Sequence, residues 1–566
     1  MPRAKGPKFG GWLGNVDTIE MMMKNAKEGY PGDGLYGLTA KLGPAFNMRV
    51  LWTDLLFTSN PEHIQRILAT DFGNYVKGER FQQAMGSVLG VGVFNSDGDM
   101  WKFHRSMTRP FFTRDRITHF ELFDRHALIC IQQMKKRLEE GYPVDFQDLM
   151  GRFTLDAATE FLFGTCFHCL EDGLPYPYYV PTTSSPSSSS PSTSSILPTT
   201  TTTTTTTSGT LSTTTMNQTT SAQKFSTSFL LSQEVISDRE RLGPLVWPLM
   251  EMWKDKTKEP MDVVGGWIDR IVREALERRK EKKIIKGREG EQEKMREEEG
   301  ETLLDHLVEM TDDPTVLRDE TLNIMIAGRD TTAATLSFVI YSLAKYPEAY
   351  KNLREEILRM IGSDTKKPLV YEQVKECRYL RAVINETLRL FPVVPFNIRE
   401  SIHETTWPSP DPTKEPLYVP AGTKTAYSVF MMHRRPDLWG PDAEEFDPNR
   451  FLDHRLKEYV GKNPFIFLPF NAGPRICLGQ QFAYNEMSFM LIRLVQHFES
   501  FEFCADACEP EFRAPRKEWV SSSEDRVKTF GAGHRKSVDE IFPKLTLTMS
   551  VAGGVWINAK EAQVWS

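Results

Sequence analysis

The chain has 566 residues, a length that allows several domains but that large single-core enzymes also reach. Hydrophobic residues make up 40% and charged residues 26%, the ordinary balance of a soluble globular protein, and the net charge of -7 gives no reason to expect nucleic acid as a partner. Seven cysteines (Cys130, Cys166, Cys169, Cys377, Cys477, Cys504, Cys508) are few and odd in number, which fits free thiols in a reducing compartment better than a disulfide framework.

In chain order, Met1 to Pro7 is basic with no apolar core behind it, so it does not read as a secretory signal. Phe46 to Phe57 predicts a hairpin turning around Thr53-Asp54, and Asn60-Pro61 opens a helix with proline at its first position. Met100 to Leu170 is mainly helical in pattern. Between Pro181 and Ser221 nearly every residue is Ser, Thr or Pro, too little apolar surface to offset ordering entropy, so this tract is expected to be a disordered insertion in a surface loop. Its sequon Asn217-Gln218-Thr219 is read as a chance match in a threonine-rich tract.

Helical pattern resumes at Phe225, continues through Trp247 to Lys286, and passes into the mixed-charge run Glu277 to Glu301, a solvated helix end and linker. No stretch reaches the ~18 consecutive apolar residues of a spanning helix. Ile324 to Leu343 carries Arg329 and Asp330 and predicts a buried core helix. A helix is expected over Gln373 to Leu390 and another over Gln480 to His497, with a loop at Phe465 to Gly479 between them. Lys544 to Ile557 predicts a hairpin turning at Ala552-Gly553-Gly554.

The strongest chemical signal is Phe470-Asn471-Ala472-Gly473-Pro474-Arg475-Ile476-Cys477-Leu478-Gly479. Gly473 and Gly479 permit tight turns and close approach of backbone to a flat ligand. The helix that begins just after Cys477 offers free N–H groups to a thiolate, and Arg475 adds positive charge. A thiolate on such a loop suits haem ligation. A structural cysteine is the bland alternative, but five fixed positions match F-x-x-G-x-R-x-C-x-G, a coincidence on the order of 10⁻⁷ per window.

This segment resembles the haem-binding signature of the cytochrome P-450 superfamily of haem-thiolate monooxygenases. Three upstream motifs stand in that family's order. In Ala327-Gly328-Arg329-Asp330-Thr331-Thr332, glycine, acid and hydroxyl residues sit where a buried helix should be apolar, and a local widening of the helix beside a ligand is expected. The resemblance implies that Thr331 hydrogen-bonds dioxygen and that Asp330 relays protons. Glu386 and Arg389 share a helix face, and with Arg450 of Phe446-Asp447-Pro448-Asn449-Arg450-Phe451 they resemble a buried structural Glu-Arg-Arg cluster, with Asp447 where the family usually has glutamate. Trp101 and Arg105 share a face at spacing i, i+4 and by resemblance meet a haem propionate, with Arg475 and Arg399 as further donors.

Cys166-Phe167-His168-Cys169 is C-x-x-C with a histidine between, but no second ligand pair stands at zinc spacing, so it is set aside, and His433 is read as structural.

The similarity runs from about Asn15 to Ile557 and implies a mainly α fold with small β-sheets: the cytochrome P-450 fold, a triangular helical prism around buried haem b (iron protoporphyrin IX, axial Cys477 thiolate), as one domain over 1–566 with the 181–221 insertion. The cysteine loop with its helix and the AGRDTTA segment look most like fungal alkane and fatty-acid hydroxylases. The implied reaction is RH + O₂ + NADPH + H⁺ → ROH + H₂O + NADP⁺, with electrons from a separate NADPH-cytochrome P-450 reductase, since no flavin or nicotinamide fingerprint follows. An apolar substrate would meet Val393 to Phe396, the Ser550 to Gly554 hairpin tip and the helix face around Ala327. Relatives are usually held at the cytosolic face of the endoplasmic reticulum membrane by a spanning helix; here either the start is missing or attachment is peripheral. A haem-thiolate peroxygenase or isomerase, and a non-catalytic haem-binding protein, stay open as alternatives.

Overall fold

The computed structural model describes residues 3–4, 6, 13–112, 121–181, 221–286, 302–411, 413–517, 519 and 534–563. The Ser/Thr/Pro-rich tract with its sequon, most of Met1 to Pro7 and the end of the mixed-charge run lie outside these residues.

The chain is mainly helical, with small sheets at its margins. The helix Pro314–Lys345 runs through the centre, opened by Pro314 at its first position and by Asp313, whose carboxylate accepts the Thr315 N–H. Two apolar cores meet along it. Leu317, Leu322, Ile324, Met325 and Ile326 pack with helices Ser221–Leu242 and Lys258–Lys286. Ala333 to Leu343 pack instead with helices Phe146–Phe163, Arg378–Leu390 and Gln480–His497. Residues 327–332 belong to neither core. The polar motif therefore sits at the seam between two cores, where few apolar contacts are given up to accommodate it.

The largest sheet has five strands in the order 45–47, 55–58, 424–428, 396–401, 75–76. The predicted first hairpin forms, with Phe46 opposite Phe57, but it turns at Leu51-Trp52 rather than Thr53-Asp54. Asn60 caps the helix Pro61–Gln65 as expected. The helix expected over Gln373 to Leu390 is broken at Cys377, and that over Trp247 to Lys286 is broken between Met250 and Lys258.

The C-terminal hairpin differs more. Strand Phe542–Leu545 pairs with Met549–Ala552, so the turn falls at residues 546–548. Gly553 and Gly554, both at positive φ, instead swing the chain into strand Trp556–Glu561, which pairs with Phe498–Phe503. No helix among the described residues is long and apolar enough to cross a membrane.

Candidate active site

The cysteine loop closes on itself through the Cys477 N–H, which donates to the Phe470 carbonyl at 3.1 Å, while the Phe470 ring packs on Tyr484 at 5.0 Å. Gly473 has φ +68°, and a Cβ there would fall 1.8 Å from the Leu68 carbonyl oxygen, so no other residue fits. Gly479 makes no positive-φ turn. Its φ of -82° suits any residue and a Cβ would meet nothing closer than 3.9 Å. Its contribution is the N–H, which hydrogen-bonds the Cys477 sulfur.

The Cys477 side chain keeps accessible surface. Surrounding protein nevertheless desolvates it and pushes the thiol pKa up, while the Gly479 N–H and the Arg105 charge pull it down. Accessible surface and desolvation coexist where a side chain faces an internal cleft rather than bulk water.

Helix Gly98–Thr108 brings Trp101 and Arg105 to the loop, as their spacing predicts. Arg105 donates to the Ile476 carbonyl at 3.0 Å. The Trp101 ring lies 5.8 Å from the Arg105 guanidinium and 4.6 Å from that of Arg475, within cation–π reach of both. Arg475 donates to the Ser96 carbonyl and to Asp97 at 2.9 and 2.7 Å, but its buried Nε has no hydrogen-bond partner. Burial, then the Arg399 charge, lower its pKa to about 10.

Arg399 is buried on strand Phe396–Ser401. Beside it stands Lys77, which sequence reasoning missed. Burial, then the Arg399 and Arg475 charges, hold the Lys77 ammonium pKa well below its usual value, against Asp97 and Glu240. A single lysine between a short strand and a helix carries no signal in the sequence, since a solvated lysine looks the same. Arg105 thus lies beside the thiol, and Arg475, Arg399 and Lys77 gather next to it against Asp97 and Glu240. Such a cluster is costly unless an anion joins it, and a planar ligand bearing two carboxylates, such as haem, fits both the charge and the orphaned Arg475 Nε.

At the seam, the helix Pro314–Lys345 runs without interruption, so the expected widening is not seen. The Thr331 hydroxyl instead donates back to the Ala327 carbonyl at 2.7 Å. Ala327, Gly328 and Thr331, on one helix face, are not fully buried although the flanking turns are. Asp330 points into a polar cavity of about 390 Å³ lined by Asp145, Asp148, Arg152, Gln233 and Arg329. It accepts from Gln233 at 2.8 Å and Arg329 at 3.0 Å. Burial raises the Asp145 carboxyl to about 7 and raises that of Asp148. Thr332 hydrogen-bonds the buried Glu486, which joins the seam to the helix that follows Cys477.

Behind the loop, Arg389 binds Glu386 through two contacts of 2.7 Å and Arg450 lies 3.5 Å from it, all three without exposure. The Asp447 N–H donates to Glu386 at 3.0 Å, so it is the backbone at that position that serves the cluster. His433 accepts the Leu468 N–H at 2.9 Å, and burial lowers its pKa to about 3, which keeps it neutral and structural.

A thiol enclosed beside clustered cations, facing a polar seam in a central helix, defines a haem-thiolate oxidoreductase. A profile described as Cytochrome P450 matches residues 22–518. The chain is 36% identical over 464 residues to cytochrome P450 52-M1 of Starmerella bombicola, spanning 81% of this chain and 78% of that protein. It is 35% identical over 459 residues to cytochrome P450 52A3-A of Candida maltosa, spanning 79% and 76%. Cytochrome P450 monooxygenase himC of Aspergillus japonicus is 34% identical over 464 residues, spanning 81% and 72%. The chain belongs to the cytochrome P450 family. It has that family's mainly helical fold, binds haem through a cysteine thiolate, and is a monooxygenase working with a redox partner, dioxygen and an organic substrate.

Proposed function

We propose that Cys477 is the thiolate that would hold the haem iron, that Lys77, Trp101, Arg105, Arg399 and Arg475 would hold the haem carboxylates, and that Phe470, Gly473 and Gly479 shape the loop. The observation that carries this is the Cys477 side chain, desolvated yet accessible, beside Arg105. When bound, the haem supplies reductive activation of dioxygen and insertion of one oxygen atom into a C–H bond. The Gly479 N–H and the Arg105 charge favour the ionised sulfur, against the desolvation that raises its pKa. The Thr331 hydroxyl, its O–H donating to the Ala327 carbonyl, presents lone pairs that accept a hydrogen bond at the seam. Asp330 takes protons from the polar cavity, where burial raises the carboxyl of Asp145 to about 7 and also raises that of Asp148.

The substrate is an apolar molecule of the alkane or fatty-acid class; the likeness of the cysteine loop and of the AGRDTTA segment to fungal hydroxylases supports this. Electrons come from an NADPH-cytochrome P-450 reductase. One haem domain spans 1–566, with the 181–221 tract inserted, since helix Ser221–Leu242 rejoins the core beyond it.

Residues 245–258 offer a surface contact with the cytosolic face of the endoplasmic reticulum membrane. Leu245, Leu249, Met250 and Met252 are exposed and Trp253 is 91% exposed, beside exposed Lys254, Lys256 and Lys258, a pairing of apolar and cationic groups that suits a lipid surface. Replacing Leu249 and Trp253 by Asp should abolish cosedimentation with anionic lipid vesicles; undiminished binding removes this attachment.

Cys477→Ala should abolish the red-shifted ferrous–CO band of thiolate ligation. A surviving band would give the ligand role to another residue.

A further inference from the structure

The Cys166-Phe167-His168-Cys169 segment finds no ligand partners in its sequence neighbourhood, but the fold brings two to it. His126 lies on helix Glu121–Glu139 and Glu160 on helix Phe146–Phe163, while Cys166 follows the second helix. One nitrogen of His126, one carboxylate oxygen of Glu160 and the Cys166 sulfur all lie within 4.8 Å of one another. Among the described residues, this is the one group of three such donors so placed.

The three are held from below. The two helices share a core in which Phe123, Ala127 and Cys130 join Leu149, Met150 and Phe153. The loop after Phe163 is pinned by Asp156, which accepts the Cys169 and Leu170 N–H groups at 2.9 Å each. Arg152 adds bonds to the Cys169 and Asp172 carbonyls at 3.1 and 3.0 Å. Arg125 takes one oxygen of Glu160 at 2.7 Å and leaves the other facing His126 Nε2, also at 2.7 Å. The Cys166 sulfur already accepts the His168 N–H at 3.3 Å, a bond that favours the ionised form.

We propose that His126, Glu160 and Cys166 form a binding site for Zn²⁺, with water as the fourth ligand. One imidazole, one carboxylate and one thiolate suit zinc and are poor ligands for Ca²⁺ or Mg²⁺, which need oxygen shells. Binding breaks the Cys166 S–H and His126 Nε2–H bonds and forms the Zn–S and Zn–N bonds; the sulfur proton goes to solvent, and the ring proton is exchanged through solvent to Nδ1, leaving a neutral imidazole. Burial and the Asp156 charge otherwise hold the Cys166 thiol protonated, with a pKa of about 12, and a divalent cation beside it reverses that preference. Zinc bonds of about 2.0–2.3 Å separate neighbouring donors by roughly 3.3–3.7 Å, so the His126–Glu160 contact opens by about half an ångström and the sulfur moves inward. Arg125 then serves as the partner that orients the ligating carboxylate. The ion would brace the loop after Phe163 against the neighbouring helix, a structural role away from the haem.

The test uses the full-length haem-loaded protein, stripped of loose metal with a chelator and titrated with ZnCl₂ against a competing chelator dye. One equivalent of zinc should bind, and X-ray absorption should show a single sulfur at about 2.3 Å with the remaining N/O neighbours at about 2.0–2.1 Å. Cys166→Ser and His126→Gln should each weaken zinc by at least about 100-fold, while Cys169→Ser leaves it unchanged. Wild-type protein that takes up no more zinc than Cys166→Ser, or an absorption spectrum without sulfur, overturns the site. The wild-type spectrum decides the matter even where a variant does not fold.

Discussion

On the cysteine side of the proposed haem site, Cys477 lies with Arg105, Arg475, Arg399 and Lys77, and every bond there is to backbone or to a fixed charge. On the seam side, Asp330, Asp145 and Asp148 line a polar cavity, and two of these carboxyls have pKa values raised by burial. The first arrangement suits groups that must keep one charge state throughout turnover. The second suits groups that must change theirs. Desolvation raises the pKa of Cys477, Asp145 and Asp148; Arg105 acts against it at Cys477 and Arg152 at Asp148, whereas the Asp148 charge adds to it at Asp145.

Breaking the brace of the cysteine side should have the largest effect. Glu386→Ala leaves Arg389 buried without its carboxylate and Arg450 with Asp442 alone, which should cost ~3–5 kcal/mol and most of the haem-loaded protein, measured by denaturant unfolding and by the CO band. An unchanged unfolding midpoint would mean that the cluster does not support that side. On the seam side, Thr331→Ala should leave folding and the CO band intact but divert reducing equivalents to hydrogen peroxide. Unaltered coupling of NADPH consumption to product would remove Thr331 from proton delivery.

The smallest effect on activity is expected where the two sides meet. Glu486 is buried beside Thr332, one of its oxygens has no partner, and burial raises its carboxyl from 4.5 to about 8. The folded protein therefore keeps a proton that the unfolded chain releases above about pH 4.5, so this group makes stability fall as pH rises toward 8. Glu486→Gln cannot ionise and should flatten that decline, read as the thermal midpoint at pH 5, 6, 7 and 8. Identical slopes in the two proteins would show that Glu486 is already charged in the fold.

Local motifs were legible because their parts are contiguous. Cys477, its turn glycine Gly473 and Arg475 fall within one loop, and the helix Gln480–His497 begins and ends where its pattern places it. Trp101 and Arg105 meet because i and i+4 share a helix face. Gly479 takes a φ of -82° that any residue can adopt, since φ is a property of the closed loop and not of the residue type. The Gly553-Gly554 turn was misplaced because Trp556–Glu561 is claimed by a strand distant in sequence, Phe498–Phe503, rather than by its neighbour.

By itself the sequence determined the glycine-flanked Cys477 loop, the polar Asp330-Thr331 step and the individual helical runs, because each rests on short-range spacing. Only the tertiary structure decided that the polar step lies at the seam of two cores, that Lys77 joins the cations, and that His126 and Glu160 reach Cys166. Those placements depend on how helices pack across long stretches of chain, and packing is settled by the whole core at once rather than by any one segment.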